Sequence, residues 1–328
     1  MNTTQTQHNH YNILTSSDNT LIPQIAVSLT AMVKNLSSDF IDFYILHSQI
    51  TSDNLQLLSA LCSGYGNIAF HEVRIDNPEI FDPLVQAGSW FRETYFPLCA
   101  HQLLPDTVDR ALYLDAGDIL VLGDISPYYY CNFEDNFLTV TGTHHKTDNH
   151  SYIQFSPDDI NIPAFLPGIL EGLFNSGSYM INLKKMRETK IDISYYYHLT
   201  EQLGSLKTKT EEFVYFGDQG LLSAAFIGKM KYYGYPQIQD QYYWPYNFCL
   251  GYYDHFDHKP DYQPAILHFA GVPFKPWKAN YPMFPKRFQT TGGTPRELTE
   301  LKPILIEYYF LWLEYLFLTD QIMTMLGF

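Results

Sequence analysis

After a polar stretch over residues 1–10, the chain settles into apolar blocks of two kinds. Short, nearly continuous runs recur as "YNILTSS", "DFYILHS" and "NIAFHEV" and predict strands. Between them lie runs with helical spacing. Ile25, Leu29, Val33 and Leu36 share one face of "QIAVSLTAMVKNL". Leu55, Leu58 and Leu61 share one side of "SDNLQLLSALC", where Ser52 or Asp53 is placed to cap the first turn. Strands alternating with helices imply a parallel sheet covered on both faces. "RALYLD" is apolar without alternation, the pattern of a central strand buried on both sides. Pro97 interrupts "WFRETYFPLCAHQLLPD" and predicts a helix start or kink there, because an internal proline costs a helix about 3 kcal/mol.

The stretch from Cys131 to Pro167, "HHKTDNH" included, is polar and reads as long surface loops. Regular pattern returns with "FNSGSYMINLKKM" as a strand leading into a helix and "GDQGLLSAAF" as a helix start. "KMKYYG" and "AILHFAG" read as strands, and "YYDHFDHKPDY" as a loop. From Leu301 the pattern is helical and apolar except for a narrow stripe of Glu307, Glu314 and Gln321. The expected division is a polar leader (1–10), one α/β domain (11–285) and a C-terminal helical extension (286–328).

Composition narrows the function classes. At 328 residues and 46% hydrophobic, the chain can bury a full core and is not a disordered polymer. A formal charge of -15 argues against nucleic acid as partner, since phosphate binding needs clustered Lys and Arg. An anion entering an acidic pocket would need a divalent cation as a bridge. Cys62, Cys99, Cys131 and Cys249 are far apart and read as reduced, buried thiols of a cytosolic protein. The first residues lack the apolar core of a signal peptide, and no uncharged stretch is long enough to span a bilayer. The expected location is therefore cytoplasmic. Peripheral contact with the inner face of a membrane, or oligomer formation, remains open for the C-terminal helix. Its Glu307, Glu314 and Asp320 contrast with the Lys and Arg of interfacial helices and favour packing against the domain or a partner chain.

The candidate chemistry starts where "RALYLD" ends. Asp115 and Asp118 follow the most buried strand, with Ala116 and Gly117 between them. Ligands of open α/β sheets bind beyond the carboxyl ends of the strands. Two carboxylates held together repel unless a proton or cation lies between them, and hard oxygen ligands suit Mg²⁺ or Mn²⁺ with a diphosphate. Gly117 permits a tight turn that aims both acids one way. The plainer alternative is that Asp115 caps a turn and Asp118 is solvated. His268 leaves an apolar strand just before Gly271, with Lys275 beyond. Asn175, Ser176 and Gly177 have ordinary turn composition, and Asp218 opening a helix is an ordinary cap. His255 and His258 stand at H-x-x-H spacing in an acidic loop, either a second metal site or a solvated segment. No P-loop, G-x-S-x-G or dinucleotide glycine signature is present.

Taken in order, five segments resemble glycosyltransferase family 8, the retaining transferases of GT-A fold. They are "ILTSSDN", "ALYLDAGDILVLGDIS", "FNSGSYMINL", "GDQGLLS" and "LHFAGVPFKPW". The resemblance implies a mainly parallel GT-A sheet and a retaining transfer of glucose or galactose from a UDP-sugar with Mn²⁺ (or Mg²⁺). The acceptor is a glycan, a lipid-linked saccharide or a protein, in cell-surface polysaccharide synthesis. It further implies Asp115, Asp118 and His268 as metal ligands. Thr15, Asp18, Asn19, Arg92, Ala116, Ser176, Gly271 and Lys275 would then surround the donor, with Asn175, Asp218 and Gln219 at the reacting sugar. Three departures stand out: D-x-x-D replaces D-x-D, Pro97 occupies the position of a family arginine for which Arg92 would substitute, and D-Q-D reads Asp-Gln-Gly. They keep a second reading open, a catalytically impaired sugar-nucleotide-binding or partner protein of the same fold.

Overall fold

The protein's structure, a computed structural model, describes residues 8–84, 91–141, 174–204, 217–233, 245–250, 263–270, 275–279, 281–289 and 303–328. Its first part is a regular alternation: β1 (His10–Ser16), α1 (Ile22–Asn35), β2 (Phe40–His47), α2 (Ser52–Tyr65) and β3 (Ile68–Arg74). Two 3₁₀ segments, Pro78–Leu84 and Arg92–Cys99, then lead into α3 (Ala100–Leu103) and β4 (Arg110–Leu114). The expected proline effect takes the form of a 3₁₀ turn, with Pro97 inside it and α3 starting three residues later. Next come β5 (Ile119–Val121), α4 (Ser126–Tyr129), β6 (Leu138–Val140), β7 (Ser178–Asn182), α5 (Leu183–Glu188) and α6 (Ile193–Gly204). The chain continues through α7 (Gly217–Ala225), β8 (Met230–Tyr232), β9 (Phe248–Cys249) and β10 (Ile266–His268) to α8 (Pro303–Met325).

Among the described residues, seven strands form one sheet in the order β3-β2-β1-β4-β7-β6-β8. The pairs β3-β2, β2-β1, β1-β4 and β6-β8 are parallel, whereas β7 runs against both β4 and β6. The expected central place of "RALYL" is observed: β4 is fourth of seven, and Ala111 to Leu114 are buried. Alternate residues along the strands face two cores. Ile13, Phe43 and Leu112 join α1 and α8 on one side, and Leu14, Tyr44 and Tyr113 join the 3₁₀ segments and α5–α7 on the other.

Several expectations change. The segment after Cys131 is not loop throughout, because β6 lies in it and bridges β7 to β8. β5, β9 and β10 make a separate small sheet, with β10 antiparallel to β5 and parallel to β9. The residue ahead of α2 is Thr51, not Ser52 or Asp53, and its side chain makes no capping bond; its N–H instead donates to Asn19 Oδ1 at 2.9 Å. "HHKTDNH", His255 and His258 lie outside the described residues.

The apolar C-terminal stretch packs as a helix on α1. Trp312 is fully buried between Trp277 and Phe284, with ring centroids 5.6 and 6.2 Å away. Polar contacts fix the register. Asn35 Nδ2 donates to Tyr315 OH at 2.7 Å, and Thr319 Oγ1 donates to Thr30 Oγ1 at 2.7 Å. Glu307, Glu314 and Gln321 stay exposed, with Phe310 and Phe317 among them. No helix among the described residues is long and apolar enough to cross a membrane. Trp312→Ala is expected to cost about 3–5 kcal/mol, whereas Phe310→Ser, on the outer face, should change stability by no more than about 0.5 kcal/mol; urea denaturation of both variants checks the contrast.

Candidate active site

Two chain reversals and the start of one helix bring the site together. β7 runs antiparallel to β4, so its beginning lies at the end of β4, with Ser178 opposite Leu114. Asp115 N–H donates to Gly177 carbonyl at 2.9 Å, which fastens "NSG" beside the first aspartate. β10 runs antiparallel to β5, with His268 opposite Ile119, so its end returns to Asp118. Phe269 N–H donates to the Asp118 carbonyl at 2.9 Å. The first residues of α7 close the opposite wall.

Two glycines make this approach possible. Gly117 has φ +72°, and a Cβ there would stand 2.5 Å from Gln24 Cβ. Only glycine enters that left-handed turn without strain. It turns the chain so that both Asp115 and Asp118 line one cleft of about 550 Å³. At Gly177 the reason is proximity: a Cβ would lie 2.0 Å from His268 Cε1. The imidazole occupies the space where any other residue's side chain would begin.

His268 is 1% exposed. Its Nδ1 lies 3.0 Å from Asn247 Oδ1. Its Nε2 has no hydrogen-bond partner among the described residues and faces Asp115 Oδ2 at 3.5 Å. Asp115 Oδ1 accepts from Tyr113 OH at 3.0 Å. The Asp118 carboxylate is paired with Lys275, whose ammonium also donates to the Phe269 carbonyl at 2.5 Å. Among the described residues, no three His, Cys, Asp or Glu side chains are gathered tightly enough to hold a metal ion. Of the three expected ligands, Asp115 and His268 thus form an open pair, and the second acid, Asp118, is turned to a lysine. The pair still suits a cation. A buried imidazole nitrogen without a partner, facing a carboxylate, is an oxygen-and-nitrogen donor set of the kind Mn²⁺ accepts.

On the other wall, Gln219 Oε1 accepts from Ser176 N–H at 3.1 Å, and its buried Nε2 has no partner among the described residues. Burial, and then the charge of Asp115, push the Asp218 carboxyl up to about 7, against the hydrogen bond from the Ser176 side chain. Asp18, Ala116, Asn175 and Ser176 also line the cleft. Asp18 caps a short turn, accepting from Thr20 N–H at 2.8 Å.

Other expected donor residues are placed elsewhere. Arg92 pairs with Asp82 at 2.6 Å and is not among the residues lining the cleft, although Phe91 and Glu93 on either side of it are. Asn19 ties the β1 loop to α2, donating to the Gln49 carbonyl and accepting from Asn54. Thr15 borders a small void beneath the cleft, next to Ser28. Gly271 lies outside the described residues. The sequence reading did not include Tyr113, Glu93 or Asn247. Tyr113 sits in the quoted strand, and its period-two placement before Asp115 was the available signal.

The sequence model of glycosyl transferase family 8 matches residues 12–281, a span that holds the whole cleft. The chain belongs to this family. It is 27% identical over 218 residues to the lipopolysaccharide 1,2-glucosyltransferase of Escherichia coli K12, covering 66% of this chain and 58% of that protein. It is 24% identical over 173 residues to the lipopolysaccharide 1,3-galactosyltransferase of Salmonella typhimurium, covering 53% of this chain and 48% of that protein. The chain thus spans less than two thirds of the length of either relative. Among solved structures, the galactosyltransferase LgtC with donor and acceptor sugar analogues is 23% identical at a TM-score of 0.58, covering 81% of this chain and 89% of that one. Glycosyltransferase GlyE of Streptococcus pneumoniae is 20% identical at 0.57, covering 96% of this chain and 64% of that one. These likenesses establish the GT-A fold.

The raised Asp218 carboxyl has a sign that can be checked. Between its ordinary 3.8 and about 7, the folded chain holds a proton that the unfolded chain has released. This group's contribution to stability is therefore greatest below 3.8 and falls as pH rises to about 7, by up to about 4 kcal/mol. Asp218→Asn should remove the slope, so the variant gains stability relative to the unaltered protein between about pH 5 and pH 8, as read from urea midpoints.

Proposed function

We propose that this chain is a retaining hexosyltransferase that moves glucose or galactose from a UDP-sugar to a glycan, lipid-linked saccharide or protein acceptor. The observation that carries the reading is the open Asp115–His268 pair, its buried Nε2 without a partner among the described residues, lining a cleft large enough for a nucleotide sugar. The names of the relatives, a glucosyltransferase and a galactosyltransferase of lipopolysaccharide, support a hexose as the transferred group.

Asp115 and His268, with Asp118 as a third donor, would hold Mn²⁺ or Mg²⁺, which when bound supplies positive charge beside the diphosphate leaving group. Lys275 would supply an ammonium to the diphosphate, since it already lies in the cleft on Asp118. Its transfer from Asp118 to a phosphate oxygen keeps a charge-assisted bond throughout. Gln219 presents its Nε2–H₂ to the sugar, because Ser176 N–H occupies its oxygen. Asp218, its carboxyl pushed up by burial and by the charge of Asp115, can in its protonated form donate to a sugar hydroxyl as well as accept from one. Gln219 orients and polarises but is too weak a nucleophile for a double displacement, so the acceptor oxygen approaches from the leaving-group side, which gives retention.

One observation favours a second reading. The Asp118–Lys275 pair satisfies the second acid without a metal ion, as a sugar-nucleotide-binding protein with little turnover would tolerate. The purified protein is expected to release UDP from UDP-glucose or UDP-galactose when Mn²⁺ is present. Asp115→Asn and His268→Gln should each lower that rate at least about 100-fold. UDP binding by calorimetry with no UDP release from either sugar would favour the second reading. The absence of both binding and release contradicts the two together.

A further inference from the structure

We propose that Asn247 is the positioning residue of this site, fixing the tautomer of His268 and the orientation of the Asn175 amide. The inference rests on the reading of the cleft as a donor-sugar site.

Asn247 is fully buried and carries no charge. It stands just before β9, whose Cys249 is the register partner of His268 on β10. Its Nδ2 is 3.2 Å from the Asn175 backbone carbonyl. A carbonyl only accepts, so this end of the amide must be the NH₂. The other end is therefore Oδ1, and it lies 3.0 Å from His268 Nδ1. An oxygen there requires the proton on Nδ1. In a neutral imidazole the lone pair then falls on Nε2, the buried atom without a partner that faces Asp115 at 3.5 Å. Cys249 Sγ is also within reach of Nδ1, at 3.5 Å, but the thiol, kept protonated by burial, donates to Asn247 Oδ1 at 3.4 Å. With the opposite tautomer, two acceptors would meet at Nδ1, and Nε2–H would spend itself on Asp115.

The same residue governs the sugar side. Asn175 Oδ1 accepts from Gly177 N–H and from Asn247 Nδ2, both at 3.0 Å. A backbone N–H only donates, so the oxygen of Asn175 faces inward and its NH₂ is left for the cleft that Asn175 lines. One amide thus sets a lone pair on one wall and a donor on the other. Both reach the same cleft, from residues 72 and 21 positions away in the chain.

Nitrogen-15 spectra of the metal-free, histidine-labelled protein at about pH 8.5, above the ordinary histidine range, test the first limb directly. His268, assigned against His268→Gln, is expected to be protonated on Nδ1 and bare on Nε2; protonation on Nε2 overturns the proposal. That spectrum needs neither metal nor turnover, so it is read separately from the UDP-sugar reading, which fails instead if the unaltered protein binds no Mn²⁺ and releases no UDP. Asn247→Asp keeps an oxygen for Nδ1–H and loses the donor to Asn175. It should retain Mn²⁺ affinity, measured with Mn²⁺ alone, while kcat for UDP release falls about 10–100-fold. Asn247→Leu should weaken Mn²⁺ binding about 10–100-fold as well. Unchanged kcat in Asn247→Asp, or equal loss of Mn²⁺ affinity in both folded variants, would overturn the proposal. Should Asn247→Leu not fold, the spectrum and the aspartate variant decide.

Discussion

The site depends on one contact, the imidazole of His268 lying against the backbone of Gly177, where a methyl group would stand 2.0 Å from the ring. This contact joins the end of the small sheet to the start of β7, and β7 is fastened in turn to Asp115 through the Gly177 carbonyl. That junction brings Asp115, Asn175, Ser176 and His268 to one cleft. Asp115 comes from the end of a parallel strand, Asn175 and Ser176 from the start of an antiparallel one, and His268 from a different sheet. A side chain at position 177 would push the ring out, and the displacement would reach both the His268 Nε2 that faces Asp115 and the Asn175 amide that lines the cleft. Close packing of this kind transmits a displacement of even one carbon atom.

The electrostatics follow from the same geometry. The chain is strongly acidic, and the cleft gathers Asp115, Asp118 and Asp218 within its walls. The protein meets this repulsion in three ways. Lys275 neutralises Asp118, a raised pKa lets Asp218 hold a proton, and Tyr113 donates to Asp115. Asp115 keeps one oxygen facing the Nε2 of His268 at 3.5 Å, and added positive charge gains most between them. The rest of the fold holds this arrangement rigid. Alternate strand residues fill two separate cores, and α8 closes one of them with Trp312.

Much of this was legible in the sequence because the relevant signals are local. The first three strands and two helices carry unambiguous periodicity, and the uniform apolarity of "RALYL" placed β4 at the centre. The aspartates, "NSG", "GDQG" and "LHF" mark element ends, where catalytic groups gather in α/β folds. What escaped was short or non-local. β5, β6 and β9 have three, three and two residues, too few for a period to register. Arg92 found a partner ten residues back in Asp82, and Asn19 found Asn54 on α2; neither pairing is written in composition. Thr51 rather than Ser52 precedes α2, its backbone being recruited by Asn19. Asn247 had no local signal at all, since its importance lies in three hydrogen bonds to residues distant in the chain.

The central claim is that Asp115 and His268 hold one cation against a diphosphate. Electron spin-echo spectroscopy of Mn²⁺ bound to the protein with UDP tests it most directly. The account predicts modulation from one directly coordinated imidazole nitrogen, lost in His268→Gln, together with phosphorus coupling from the nucleotide. Mn²⁺ showing phosphorus coupling but no nitrogen, as it would on free UDP, would contradict it.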